Sequence, residues 1–264
     1  GPDRAIAIGK LHELLEFFRG FIRDRTAYYM DSNILQPLTK ARRLSYAELV
    51  GAEQVEWFVS HFWGTAFEHF CKALQKHAEM VCDRDGRDWT RVSYWVCFCS
   101  NNQHQIEEEN GVGWEASPFF IALKSGHCRG TCMVLDDTAR PLTRIWCIFE
   151  FLLTVKLDRS LLLCSSSGVL NTGNGSVDVA MAVVEQVAKV DLEKAQAMNT
   201  RDALMIRQHV AQEMGSSEAS SRFVADKVRE MLVRAQGGSN QQFAAMLDLL
   251  DTNRHEIADP RQGP

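Results

Sequence analysis

The spacing of apolar residues changes twice along this chain, and the changes divide it. Ile8, Leu11, Leu14, Leu15, Phe18 and Ile22 recur at helical intervals with charged residues between them, which predicts an amphipathic helix within residues 4–23. Residues 24–50 carry Pro37 and the basic Lys40, Arg42 and Arg43, and predict a mostly irregular connector ending in a short helical piece at Tyr46-Ala47-Glu48-Leu49. From Val55 short apolar runs alternate with helical segments, the order of a parallel sheet covered by helices. Strands are expected at 55–60, 92–99, 130–135 and 160–164, and helices at 65–81, 117–124 and 141–156, with Pro118 and Pro141 where first-turn prolines are tolerated. Each crossover should be right-handed. Past the loop-like Ser165-Ser166-Ser167-Gly168 and Asn171-Thr172-Gly173-Asn174-Gly175, Ser176 is a good N-cap, and helical pieces are expected near 177–197, 200–214, 218–235 and 240–251. The organisation predicted is an N-terminal helix and connector over 1–50, an α/β domain over 51–175, a helical extension over 176–252 and a flexible tail over 253–264.

Composition narrows the function more than the fold. The 264 residues are 45% hydrophobic and 24% charged, ordinary values for a chain that can bury a sizeable core. A formal charge of −5 with a pI near 5.9 offers no global basic field for nucleic acid or an anionic membrane. Neither nucleic acid nor membrane is therefore expected as a partner. No apolar run approaches the roughly 20 residues that span a bilayer, and the start lacks the order of a signal peptide, so a cytoplasmic protein is expected. The eight cysteines lie mostly inside apolar segments, such as Val96-Cys97-Phe98-Cys99 and Leu163-Cys164, and are expected to be reduced, buried thiols. Cys97-x-Cys99 falls on one face of a predicted strand, and His127-Cys128 with Cys132 lacks a second pair at knuckle spacing, so no metal is expected.

In an open parallel sheet, ligands collect beyond the carboxyl ends of the strands. The first strand runs there into Ser60-His61-Phe62-Trp63-Gly64-Thr65, the second into Ser100-Asn101-Asn102-Gln103-His104 and the third into Asp136-Asp137-Thr138. The helix that follows the third strand carries Trp146 and, one turn later, Glu150 within an otherwise apolar run. That carboxyl either edges the buried stripe or sits in a cleft where burial tunes its ionisation. Ser60 and His61, adjacent on a strand, point to opposite faces and are no nucleophile–base pair, and the chain lacks a G-x-S-x-G elbow. Asp136-Asp137 suits a helix cap more than Mg²⁺, Gly173-x-Gly175 suits a simple loop more than a phosphate cradle, and Glu107-Glu108-Glu109 reads as a solvated charge run.

Two of these segments resemble a known family. Trp57-Phe58-Val59-Ser60-His61 looks like the first-strand box of TIR-like domains, and Trp146-Cys147-Ile148-Phe149-Glu150 is similar to their W-C-x-x-E segment on the helix after the third strand. Trp95 followed by Asn102-Gln103 resembles the W-I-D-x-x-C-I-N-Q signature of the TIR-related HET domains, with Cys97 in place of its Asp and Ser100 in place of its Cys. The likeness covers about residues 50–170, and Phe58 to Thr65 and Pro141 to Glu150 also resemble a large family of dinoflagellate algal proteins, which implies no function. The TIR resemblance implies a flavodoxin-like parallel sheet flanked by helices and an NAD⁺-cleaving activity in which Glu150 is the catalytic carboxylate. NAD⁺ is then substrate and no cofactor is needed. Trp146 would wall the pocket, Phe62 or Trp63 would stack on nicotinamide or adenine, and Ser60, Asn102 and Gln103 would orient ribose or phosphate, with His61 and Asp136 beside them. Self-association into a homo-oligomer through TIR-like surfaces is the partner the family implies. The alternatives are a non-enzymatic signalling module and a sensor that holds an NAD-derived nucleotide without cleaving it.

Overall fold

The computed structural model describes residues 1–83, 86–105, 113–173, 175–197 and 199–235. The helix expected at 240–251, the tail over 253–264 and the Glu107-Glu108-Glu109 run lie outside these, as does Asn174 of the glycine loop.

Six strands form one mixed sheet: β1 Ile6–Ala7, β2 Trp57–His61, β3 Ser93–Trp95, β4 Gly130–Val134, β5 Ser160–Ser165 and β6 Gly168–Val169, in the spatial order β1-β3-β2-β4-β5-β6. The inner four run parallel, and the short β1 and β6 pair antiparallel at the two edges. Taken in chain order, the parallel strands stand second, first, third, fourth, an arrangement of doubly wound α/β sheets. The order of winding reverses between β2 and β4, and in sheets of this kind ligands bind beyond the carboxyl ends of such strands, here at His61 and Val134.

Alternation along the strands builds two cores. Phe58, Met133, Leu161 and Leu163 face one side, under α8 Pro118–Lys124 and α9 Ile145–Lys156. On that side α10 Val177–Ala188, α11 Thr200–Met214 and α12 Ser217–Ala235 complete the layer. Trp57, Val59, Tyr94, Cys132, Val134 and Cys164 face the other side, under α1 Ile8–Phe17 and α6 Phe67–Cys82. The stripe Phe67, Phe70, Cys71, Leu74, His77, Ala78 and Cys82 seats α6 on the sheet at the three- and four-residue spacing of a helix. No helix among the described residues is long and apolar enough to cross a membrane.

Four expectations change, one of them at the C-terminal side, where the helix expected near 177–197 ends at Ala188. Residues 24–50 are largely helical: α2 Arg19–Ile22 is followed by α3 Ala27–Met30, a wide turn Asp31–Leu35, α4 Gln36–Thr39 and α5 Tyr46–Val50. Ala27, Met30, Ile34 and Leu35 bury themselves at helical spacing, while Ser32, Asn33 and Thr39 return hydrogen bonds to the carbonyls four residues back. The strand expected over 92–99 ends at Trp95, because the Val96 N–H is taken by Ser100 Oγ and the chain turns into α7 Cys97–Ser100. Cys97 and Cys99 therefore leave from a helical turn and not from a strand face. The N-terminal helix, finally, is preceded by a two-residue strand and breaks after Phe17.

Candidate active site

Position 60 is where strand periodicity meets chemistry. Ser60, second from the end of β2, points to the side covered by α9, while His61 points to the opposite side. On α9, Cys147, Glu150 and Thr154 form a polar seam along the sheet: Cys147 Sγ reaches the His61 carbonyl at 3.5 Å, and Thr154 Oγ1 meets Thr131 Oγ1 of β4 at 2.6 Å. Between them Ser60 Oγ donates a 2.5 Å hydrogen bond to Glu150 Oε2. The Glu150 carboxyl thus stands against the carboxyl end of β2, at the side of the switch point. Burial raises its pKa from 4.5 to about 8, against the pull of the Ser60 hydrogen bond. Glu150 as a whole residue is partly exposed, while its carboxyl is desolvated.

From the next loop α7 presents Cys97, whose thiol burial and then the Glu150 charge push up to about 12. Trp63 Nε1 donates to its sulfur at 3.0 Å, and the indole is wedged between Tyr28 and Phe98. Asp31, from the wide turn of the N-terminal segment, lies within electrostatic reach of the same thiol; its Oδ1 is buried without a partner and burial raises its pKa. Two acids thus act electrostatically on the sulfur that the Trp63 indole meets directly. Phe62 folds back over Gly64, where a Cβ would stand 2.3 Å from its ring, and carries Arg144 and Arg140 at 5.5 and 5.9 Å from its centroid. Two guanidinium groups thus stand against Phe62, just past the end of β2.

The remaining candidates have structural work. His61 is buried between Phe70 and Phe98, and desolvation lowers its pKa to about 4, so it stays neutral. The Asn102 amide donates to the Arg43 carbonyl at 2.7 Å and to Gln105 Oε1 at 3.1 Å, pinning the loop after β3 to the N-terminal segment. Gln103 Nε2 donates to the Cys97 carbonyl at 3.2 Å. Asp136 Oδ1 accepts from Thr138 N, Thr138 Oγ1 and Arg140 N, the use of a turn cap. Trp146 turns toward the C-terminal helices, edge-on to Phe119 with Nε1 donating to Asp202 of α11 at 3.2 Å. It anchors α9 there, in place of the wall beside Glu150 that its position one turn earlier predicts.

The chain matches no known protein family, no characterised protein and no solved structure. Asp31, Arg140 and Arg144 belong to the site's surroundings and had no motif to announce them; Asp31 lies well before β2 and comes near Cys97 only because residues 24–50 fold onto α7 and its loop.

Proposed function

We propose that this protein is a TIR-like NAD⁺ glycohydrolase that cleaves the bond between nicotinamide and ribose, with Glu150 as the catalytic carboxylate. The observation that carries the proposal is the Ser60–Glu150 pair at the carboxyl end of β2, a buried hydroxyl on a carboxyl whose residue is partly exposed, in a sheet with the second-first-third-fourth strand order. The segments that resemble TIR-like boxes are the ones that supply this pair.

One carboxyl suffices for this chemistry. Glycosidases acting on ordinary sugars need a second acid to protonate a poor leaving oxygen. In NAD⁺ the leaving group is a pyridinium: the C1′–N bond breaks, its electron pair goes to nicotinamide, and nicotinamide departs neutral. Water then adds at C1′ and loses a proton, giving ADP-ribose; attack by an adenine ring nitrogen gives a cyclic product. The task left to the protein is to stabilise an oxocarbenium-like ribose, which an ionised Glu150 does electrostatically and through the ribose hydroxyls. A cationic ring entering beside Glu150 favours its charged form, so substrate supplies the ionisation that burial withholds. In this reading Phe62 would stack on a base and Arg140 and Arg144, which stand against its ring, would meet the diphosphate.

Purified protein is expected to release nicotinamide from NAD⁺, with activity per chain rising with protein concentration if assembly completes the site. Turnover unchanged in Glu150→Ala removes Glu150 from the mechanism. A second outcome has its own support, since a carboxyl that titrates near 8 is mostly neutral at pH 7. A thermal shift with ADP-ribose and no nicotinamide at any concentration identifies a sensor that binds without cleaving.

A further inference from the structure

On the face of the sheet opposite Glu150, three potential metal ligands converge in the dry interior. Cys132 of β4 pairs with Leu162, two residues before Cys164 of β5, so both thiols project to the same side and their Sγ atoms stand 3.0 Å apart. His77, in the buried stripe of α6, meets them from above: a ring nitrogen and the two sulfurs all lie within 4.8 Å of one another, and all three residues are buried. Both cysteines are free thiols. His77 Nδ1 is 2.6 Å from the Tyr94 hydroxyl, and that hydroxyl lies 3.3 Å from the Leu74 carbonyl, to which it donates. In the tautomer that gives its Nδ1–H to the phenol oxygen, the imidazole keeps a bare lone pair on Nε2, which is buried and has no partner.

A buried nitrogen left unpaired costs free energy unless something occupies it. The phenol also fixes the imidazole through its other nitrogen, as the outer partners of metal-bound histidines do. We propose that Cys132, Cys164 and His77 bind one Cu(I) ion, which staples α6 to β4 and β5.

Ligand number and softness select the ion. Thiolates favour Cu(I) or Zn(II), but closed zinc sites are almost always four-coordinate, and the described residues supply three ligands. The space beside them is taken by aromatic surface: Trp57 stands edge-on to His77 at 4.5 Å, and the Tyr94 hydroxyl is committed to the imidazole. Cu(I) is satisfied by two sulfurs and one nitrogen. Binding releases both thiol protons to solvent and leaves a centre of net charge −1, toward which the nearby Arg129 guanidinium, already felt at His77, is favourable. The two sulfurs must open by about 1 Å for metal–sulfur bonds of roughly 2.3 Å, a change that side-chain rotation allows.

The test uses the full chain without a histidine tag, reduced and refolded anaerobically with Cu(I) under competition from bicinchoninate. The expected result is one Cu(I) per chain, an X-ray absorption spectrum with two sulfur neighbours and one nitrogen, and a higher Tm than the metal-free protein. Cys132→Ala/Cys164→Ala should bind more than about 100-fold more weakly, and Tyr94→Phe between about 10- and 100-fold more weakly, the range that outer partners contribute. Cys82→Ala should bind as the parent does. If the double variant does not fold, the absorption spectrum of the parent chain decides. The proposal is overturned by sub-stoichiometric copper, by a sulfur-only spectrum, by undiminished binding in the folded double variant, by Zn(II) displacing Cu(I), or by a Cys132–Cys164 disulfide, two hydrogens lighter, in the native chain.

Discussion

Glu150 carries two opposed demands, and its titration separates them. An unfolded chain ionises this carboxyl near 4.5, whereas burial in the folded chain delays ionisation to about 8. Below pH 4.5 both states hold the proton and the carboxyl is neutral toward stability. Between 4.5 and 8 the unfolded state alone gains from ionising, so stability falls as pH rises and the loss is complete above 8. Glu150→Gln removes the penalty: it should raise stability at pH 8 by about 2–4 kcal/mol, discounted for partial solvent access, and by nothing near pH 4. Thermal melts of both proteins across that range check it; an increment independent of pH would show that Glu150 is not desolvated. The same substitution should cost at least about 100-fold in nicotinamide release, as removal of a group that stabilises transition-state charge does. Ser60 holds the carboxyl from one side, and its hydrogen bond lowers the pKa. In the free enzyme kcat/KM should rise with pH through about 8, where Glu150 ionises, and Ser60→Ala should move that limb to higher pH while leaving a folded protein. A limb that stays in place would separate Ser60 from the carboxyl's ionisation.

At the scale of elements, the strands β2, β4 and β5 and the helices α6, α8 and α9 are where their periodicity placed them, because each buries a continuous apolar run or stripe whatever its neighbours do. The opposed directions of Ser60 and His61 were equally legible, since a strand alternates by geometry alone. What the sequence concealed depends on side chains that compete with the backbone. Ser100 ends β3 early by capturing the Val96 N–H, and Ser32, Asn33 and Thr39 make polar residues compatible with helical turns in a segment that reads as a connector. The place of Trp146 was hidden for another reason: its partner Asp202 is 56 positions away. Gly130 shows how tightly one legible element is fitted. A Cβ there would lie 2.0 Å from the Ser160 carbonyl oxygen, the residue it faces across β4 and β5. Gly130→Ala should therefore force the strands apart at that end and cost about 3 kcal/mol, read as a lower denaturation midpoint with unchanged slope. A midpoint within error of the parent would mean that the β4–β5 ladder yields there freely.

For the whole molecule, the C-terminal helices decide whether the α/β layer can stand by itself. Ala203, Ile206 and Val210 of α11 and Val224, Val228 and Leu232 of α12 are buried in the same cluster as Phe149, Leu152 and Leu153 of α9, and Asp202 receives the Trp146 indole. Those helices are thus part of the wall behind Glu150. Uncovering α9 would forfeit the burial of about half a dozen apolar side chains on each side of the interface, at about 1.5–3 kcal/mol for each large one. That loss matches or exceeds the total stability of an ordinary domain, about 5–15 kcal/mol. A chain ending at Ala197, which retains the Arg144–Gln196 pairing but lacks α11 and α12, should lose its near-UV circular dichroism and bind a hydrophobic dye while keeping much of its far-UV signal. A cooperative melt with native near-UV signal from that chain would instead make the extension an appended unit. Because Glu150 lies on the sheet side of α9 and Trp146 on the C-terminal side, such a folded truncation should also retain the alkaline titration of Glu150, whereas a collapsed one should return that carboxyl toward its ordinary 4.5.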